Sequence, residues 1–398
     1  MLGRALLCLS LAALAYAADW PQWRGIHRDG TSPETGLLDS WTKGGPPLVW
    51  KVSGLGEGYS SAAIANGRLY IQGQHGNEEY VLAFDAATGK QLWRAHTGIP
   101  FEESRGFGPR GTPTVDGDRV YALAADGMLV CLDTASGKRL WGFNIVDYFH
   151  GHVLHWGMSE SPLVEGDRVI VTPGGRGAAV VALDKMTGKA LWQSQNDPAG
   201  YSSPMPFDAG GAPRVAVFTG EAAIGLDLAS GKLLWRYERV ANGTANIATP
   251  IVHDGRIFVS SDYGTGCVLL KVAADGGASE VYFNREMRNH YSTSVLVGDY
   301  LYGFSSSILT AMKFATGEVA WRNRSVGKGS LIYADHNLYI VGEDGIIGLV
   351  EATPDGYREK SRFEISKGGY PMWSQPVIAN GKLYLRDQDS LFCYNIKK

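Results

Sequence analysis

Nine side chains able to hold a ligand recur at matching places along the chain: Tyr59, Arg110, Glu160, Tyr201, Asn246, His290, Tyr291, Lys328 and Trp373. They lie in eight short phrases that align with one another: GYSSA, PRGTP, MSESP, GYSSP, NIATP, HYSTS, VGKGS and MWSQP. The fourth column of that alignment is small or polar: Ser61, Thr112, Ser161, Ser203, Thr249, Thr293, Gly329 and Gln375. Brought to one rim, four aromatics, two cations and a carboxylate can grip a planar anionic ligand or a peptide. The same residues could instead plug a channel by mutual pairing, for example Arg110 with Glu160. No nucleophile stands beside a base at a recognisable spacing, and Glu160 alone does not make the carboxylate pair that glycoside hydrolysis requires. His150, His152 and His155 fall within six residues, a density that suits zinc or copper. No cysteine or carboxylate accompanies them at a suitable spacing, so they read as solvated or packed loop histidines and no metal is assigned. TPGGRG, Thr172 to Gly177, reads as a strand-end turn, because no helix follows to make it a phosphate cradle.

The elements that must carry these phrases announce themselves by repetition. AFDAATGKQLW ends at Trp93, CLDTASGKRLW at Trp141, ALDKMTGKALW at Trp192, GLDLASGKLLW at Trp235 and AMKFATGEVAW at Trp321. Their turn glycines, Gly89, Gly137, Gly188, Gly231 and Gly317, are separated by 48, 51, 43 and 86 residues. The long gap holds a degenerate copy at Leu270 to Phe283, and a weaker one follows at Gly348 to Phe363. Ahead of each copy runs an apolar stretch broken by a turn, as in AIANGRLYI and LVEGDRVIV, and where the turn is Asn-Gly or Asp-Gly it is a hairpin signal. Two hairpins per period of 40 to 50 residues make one four-stranded propeller blade. Eight blade starts are counted, near Ser60, Thr112, Ser161, Ser203, Thr249, Thr293, Gly329 and Gln375.

The eighth blade reaches LFCYNIKK without an outer strand, while PPLVWKV, Pro46 to Val52, is a strand without a blade. The expectation is an all-β, eight-bladed propeller over 46–398, preceded by an extension over 19–45, with the N-terminal strand completing the last blade and abolishing the sheet edges. Trp50, Trp93, Trp141, Trp192, Trp235 and Trp321 are then structural, each docking its blade onto the next. The two longest connections, Arg94 to Arg110 and Gly142 to Ser159, fall over blades one to three on the same face as the aligned phrases, where long loops on a rigid scaffold carry function.

MLGRALLCLSLAALAYAADW has a basic start, an apolar run and a small-x-small pattern at Ala15 to Ala17, which reads as a secretory signal cut near Ala17 or Ala18. A periplasmic or secreted protein follows. Cys131, Cys267 and Cys393 read as buried apolar residues, since three cannot all pair within one chain. A formal charge of −3 leaves no basic stripe for nucleic acid.

The ALDKMTGKALW phrase, with DWPQWRGIHRDG and WGMSESPLVEGDRVIVTPGG, resembles the tryptophan-docking repeat of the pyrroloquinoline quinone (PQQ) family. That family includes quinoprotein alcohol dehydrogenases and the BamB-type propeller lipoprotein of outer-membrane assembly. The resemblance implies two functions. The first is a monomeric, non-catalytic exported module that holds a protein partner or small ligand at the channel mouth, with no cofactor. The second is a PQQ- and calcium-dependent alcohol dehydrogenase, with Trp373 as the floor beneath the quinone, Arg110 on its oxygens, and Glu160 with Asn246 on calcium. The chain is much shorter than such dehydrogenases and has neither their adjacent-cysteine disulfide nor an aspartate base in the aligned columns. The binding module is the preferred expectation, although Cys8 stands too early for the lipidation site of the assembly protein.

Overall fold

The computed structural model describes residues 18–365 and 368–398. These form eight sheets arranged as the blades of a propeller, each with a core of consecutive antiparallel strands, to which an N-terminal strand is added in blade 7 and in blade 8. Blade 3 shows the pattern: Leu163–Glu165, Arg168–Val171, Val180–Asp184 and Ala190–Ser194 pair in order. Its first hairpin turns at Gly166, whose φ of 60° is the left-handed conformation that such a turn requires. The second turn is tied by Asp184. Its Oδ1 accepts from Thr187 N and Thr187 Oγ1, both at 2.7 Å, and Gly188 N donates to Asp184 O at 2.8 Å. These hydrogen bonds hold the Asp184 carboxylate below its usual range, the Thr187 hydroxyl contributing most.

That turn receives the neighbouring blade's tryptophan. Trp141 Nε1 donates to Lys185 O at 3.1 Å, and a Cβ on Gly188 would sit 2.8 Å from the Trp141 ring. The same seat holds Trp50 on Gly89, Trp93 on Gly137 and Trp192 on Gly231, with indole donors 3.0 to 3.2 Å from Ala86 O, Thr134 O and Leu228 O. Trp321 donates to Thr353 O at 2.8 Å.

Trp235 departs from the expected docking. It is buried between blades 4 and 5, but its Nε1 finds no partner among the described residues. The degenerate turn of blade 5 offers no seat, and the indole lies instead on Gly225 of its own blade, where a Cβ would fall 2.0 Å from Nε1. Arg214 takes over the latch, donating to Ala274 O at 2.8 Å. In blade 5 itself Tyr282 stands in for tryptophan, its hydroxyl donating to Phe314 O at 3.0 Å. Blade 7 has Ser361 at the corresponding position, and Trp41 of the N-terminal extension fills the vacated space. Its backbone N donates to Ser361 Oγ at 2.7 Å and its ring lies 5.8 Å from Tyr339, the distance separating Tyr70 from Trp93 and Tyr384 from Trp50 within their own blades.

The ring closes as the sequence predicts. Leu48–Ser53 pairs antiparallel with Ser390–Asn395 and completes blade 8. Arg386, wholly buried, rivets this blade to blade 1 by donating to Gly56 O at 3.0 Å, Ser60 O at 3.1 Å and Gln72 O at 2.6 Å. Cys131, Cys267 and Cys393 are buried free thiols within the strands.

Candidate functional site

In a propeller blade the first strand runs away from one face and the second returns to it, so that face collects two sets of residues: the blade starts and the turns between second and third strands. Here they enclose a cup of about 540 Å³ at the mouth of the central channel. Of the nine residues singled out in the sequence, Tyr59, Arg110, Tyr201, His290, Tyr291, Lys328 and Trp373 line it. Both long connections contribute, through Glu103 and Arg105 from the first and Trp156 from the second.

Below the rim, the small fourth-column residues latch neighbouring blades. Thr112 N and Ser161 N donate to Ser161 Oγ and Ser203 Oγ, each at 2.9 Å; Thr249 N donates to Thr293 Oγ1 at 3.0 Å and Gln375 N to Ser61 Oγ at 2.8 Å.

Glu160 and Asn246 do not face the cup. Glu160 is fully buried, with its two carboxylate oxygens accepting at 2.6 Å from Thr172 N and Thr172 Oγ1. Burial pushes its acid up to about 7, against the pull of Thr172 and of Arg28. The alternative of Glu160 pairing with Arg110 across the channel does not form. Arg110 instead meets Glu103 at 3.2 Å and donates to Trp156 O at 2.8 Å and Gly106 O at 2.6 Å, which fixes both long loops over the rim. Asn246 donates to Thr219 O and Gly220 O, in the turn between the second and third strands of blade 4, and accepts from Asn242 N of its own loop.

The floor was not foreseen as part of the site. Residues 20–32 cross the channel, touching the inner strand of blade after blade. Trp20 bridges Ile64, Trp23 Nε1 donates to Thr249 Oγ1 at 2.9 Å, and Thr31–Ser32 pairs in parallel with blade 7. Arg24 donates to Thr293 O at 3.0 Å and Ser294 O at 2.7 Å on one side of the channel. On the other, Arg28 donates to Ser161 O at 3.0 Å. Trp23 thus seals the cup from beneath. Two tryptophans and two arginines in DWPQWRGIHRDG, an unusual density for an extension, were the signal. Tyr263 and Glu343, from second-to-third-strand turns, were also missed, because only the blade starts were aligned.

Within the cup most polar groups are already satisfied. Glu343 lies 3.5 Å from Lys328 and accepts from Trp373 Nε1 at 2.6 Å, and the Tyr59 hydroxyl donates to Arg105 O. Two groups stand out: His290 Nδ1 and the Tyr291 hydroxyl are buried without a hydrogen-bond partner among the described residues. Burial, and then Lys328, push the His290 imidazole down to about 4, so it is neutral at physiological pH. Burial raises the Tyr291 phenol far above its usual range.

Comparison with known proteins agrees with this architecture. A family model described as outer membrane protein assembly factor BamB matches residues 46–144 and 77–323. The chain belongs to this family. The outer membrane protein assembly factor BamB of Burkholderia pseudomallei (strain K96243) is 29% identical over 370 residues, covering 86% of this chain and 85% of that relative. A quinohemoprotein alcohol dehydrogenase, ADH IIB of Pseudomonas putida, is 27% identical over 352 residues, covering 77% of this chain; the match spans only 44% of the enzyme's length. Among solved structures, BamB from Moraxella catarrhalis superposes with a TM-score of 0.64 at 17% identity, over 88% of this chain and 97% of that one. A quinohemoprotein alcohol dehydrogenase from Comamonas testosteroni gives 0.69 at 14% identity, over 97% and 82%. At those identities the likeness is one of fold.

In this BamB-type propeller the residues assigned to PQQ and calcium do not suit them. Glu160 and Asn246 are spent on internal hydrogen bonds, and among the described residues no three His, Cys, Asp or Glu side chains gather as a metal site. Two tyrosines already lie against the proposed floor, with Tyr59 and Tyr291 ring centroids 5.1 and 5.5 Å from Trp373. Arg110 is occupied by the loops. His150, His152 and His155 are exposed on the second loop, and Thr172 to Gly177 is the turn after Arg168–Val171.

Proposed function

We infer that this chain is an exported, non-catalytic binding module that holds a protein segment or small ligand in the aromatic cup. One observation carries this reading: the cup is concave and wide enough for a ligand, is walled largely by aromatic rings, and is closed below by Trp23. Apolar walls with a few convergent polar groups are the usual make-up of a binding pocket. Arg110 and Glu103 on its wall are paired and fix the loops, and among the described residues no nucleophile, base and orienting group meet there. Likeness to outer membrane protein assembly factors points to a partner in that process and to the periplasm as its place. The signal-like stretch that supports export lies at residues 1–17, outside the described residues.

Photo-crosslinking from Tyr263, which is 44% exposed at the rim, tests the reading in cells. Expected is a discrete crosslinked species that falls at least tenfold when Trp156 is replaced by alanine. Purified protein supplied with PQQ and calcium should show neither saturable quinone binding nor dye-linked alcohol oxidation; turnover there would overturn the proposal.

A further inference from the structure

The cup has two unlike sides, and that asymmetry narrows what fits it. On one side stand Trp156, Tyr201 and Tyr59: the Tyr59 hydroxyl donates to Arg105 O, Tyr201 Oη accepts from Trp156 N at 3.5 Å, and the Tyr201 ring lies 5.6 Å from the Trp156 indole. This side offers mainly ring surface, with Arg110 and Glu103 closed on each other as an ion pair beside it. On the other stand His290, Tyr291 and Lys328. The His290 ring is 5.2 Å from Tyr263, and Lys328 Nζ is 5.5 Å from the Tyr291 ring centroid. Here lie the two buried polar atoms without partners, His290 Nδ1 and the Tyr291 hydroxyl.

The charges lean the same way. Three cations line the cup, Arg105, Arg110 and Lys328, against two carboxylates, Glu103 and Glu343. Each of these carboxylates is engaged by one cation, through Arg110–Glu103 and Lys328–Glu343, so among the described lining residues cations outnumber carboxylates by one, at the exposed Arg105. Arg105 and Lys328 both act electrostatically on His290, opposed by the carboxylate of Asp262 outside the lining.

A ligand rich in hydroxyl groups, such as a sugar, would leave most of them unpaired against the aromatic side, and each buried unpaired group is costly. A cation would meet the surplus charge. A flat ring carrying one anionic group satisfies both sides together, stacking its ring in the offset or edge-on manner of aromatic pairs. We propose that the cup binds small aromatic monocarboxylates, with the ring against Trp156 and Tyr201 and the carboxylate toward Lys328, Tyr291 and Arg105. The Tyr291 hydroxyl donates to the carboxylate, and His290 Nδ1 accepts from a ring substituent or a water molecule.

This assignment rests on the reading of the cup as the binding surface, but the two fail separately. The experiment titrates the full chain with 4-hydroxycinnamate and follows tryptophan fluorescence, with heat of binding as a second measure. Expected is saturable binding at least tenfold tighter than that of 4-hydroxycinnamamide, which lacks the charge, or cyclohexanecarboxylate, which lacks the ring. Lys328→Met and Arg105→Met change partly or fully exposed side chains, so the fold should stand. Each should weaken the acid about tenfold and leave the amide's weaker binding unchanged. Equal binding of acid and amide, or an acid affinity unmoved by either variant, overturns the carboxylate assignment. A glycan or peptide that saturates the cup while 4-hydroxycinnamate is silent overturns the ligand class and leaves the surface in place. If no ligand alters the fluorescence and rim crosslinks are also absent, both readings fall.

Discussion

Glu79 shows what a buried charge does when it serves no ligand. It lies in the third strand of blade 1, where its Oε2 accepts from Ala125 N at 3.0 Å and its Oε1 has no partner among the described residues. Burial pushes its acid up to about 8; Asp126 adds to the rise, while the Ala125 hydrogen bond and Arg110 oppose it. An unfolded glutamate releases its proton near pH ~4.3. The folded state therefore holds a proton that the unfolded chain has lost, and stability falls as pH rises from about 4 to about 8. Glu79→Gln should remove that slope. Thermal melts of the two proteins should coincide near the acid end and separate by pH 8, with the variant the more stable; parallel curves would refute the assignment. At this scale the sequence was a partial guide. Column position found seven of the cup's residues, because strand alternation fixes which side chains face the channel. It misassigned Glu160 and Asn246, because the depth of burial at a strand start depends on neighbouring loops that the alignment does not contain.

Elements were more legible than residues, and for a physical reason. The turn Asp-x-x-Thr-Gly-Lys makes its hydrogen bonds locally, so its letters recur wherever the turn does. The tryptophan after it sits in a seat built by the next copy of the same turn. Removing such an indole should be costly: Trp192→Ala is expected to lower stability by about 3–5 kcal/mol in denaturant titration. Trp192 also donates to Leu228 O at 3.0 Å, whereas Trp235 donates to nothing among the described residues. Trp192→Phe should therefore cost about 1 kcal/mol more than Trp235→Phe, the typical worth of one hydrogen bond. Gly231→Ala should be damaging too, because the residue holds φ at 71° and a Cβ would approach the Trp192 ring to 2.5 Å. Where the phrase decays, other residues do its work, and those were illegible. Tyr282 replaces an indole by a phenol of similar reach, Arg214 supplies the cross-blade donor, and Trp41 comes from a different part of the chain altogether. Local pattern cannot reveal a substitution made from far away.

At the scale of the whole molecule, blade count and closure were read correctly, since the missing outer strand at one end and the orphan strand at the other are complementary. The course of the extension was not, because residues 20–32 form hardly any repeat-like pattern and find their partners one by one across the channel. Removing residues 19–31 should open the floor of the cup, abolish quenching by any ligand held against Trp23, and lower the melting temperature through loss of the Arg24 and Arg28 contacts. Unchanged ligand binding after that deletion would show that the floor is dispensable.

The threaded segment also bears on how the chain reaches its native state. Arg24 meets Thr293 and Ser294 across 269 and 270 residues of sequence, and Gly381 N reaches Glu34 across 347. Individual blades can form from local hairpins, but contacts of that separation must await the assembled circle, and such topologies fold slowly. An early stretch of polypeptide thus stays unoccupied until late stretches arrive, leaving tryptophan and arginine side chains uncovered in the meantime. Passage through this half-built stage, rather than the strength of any single blade, would set the demand for a chaperone.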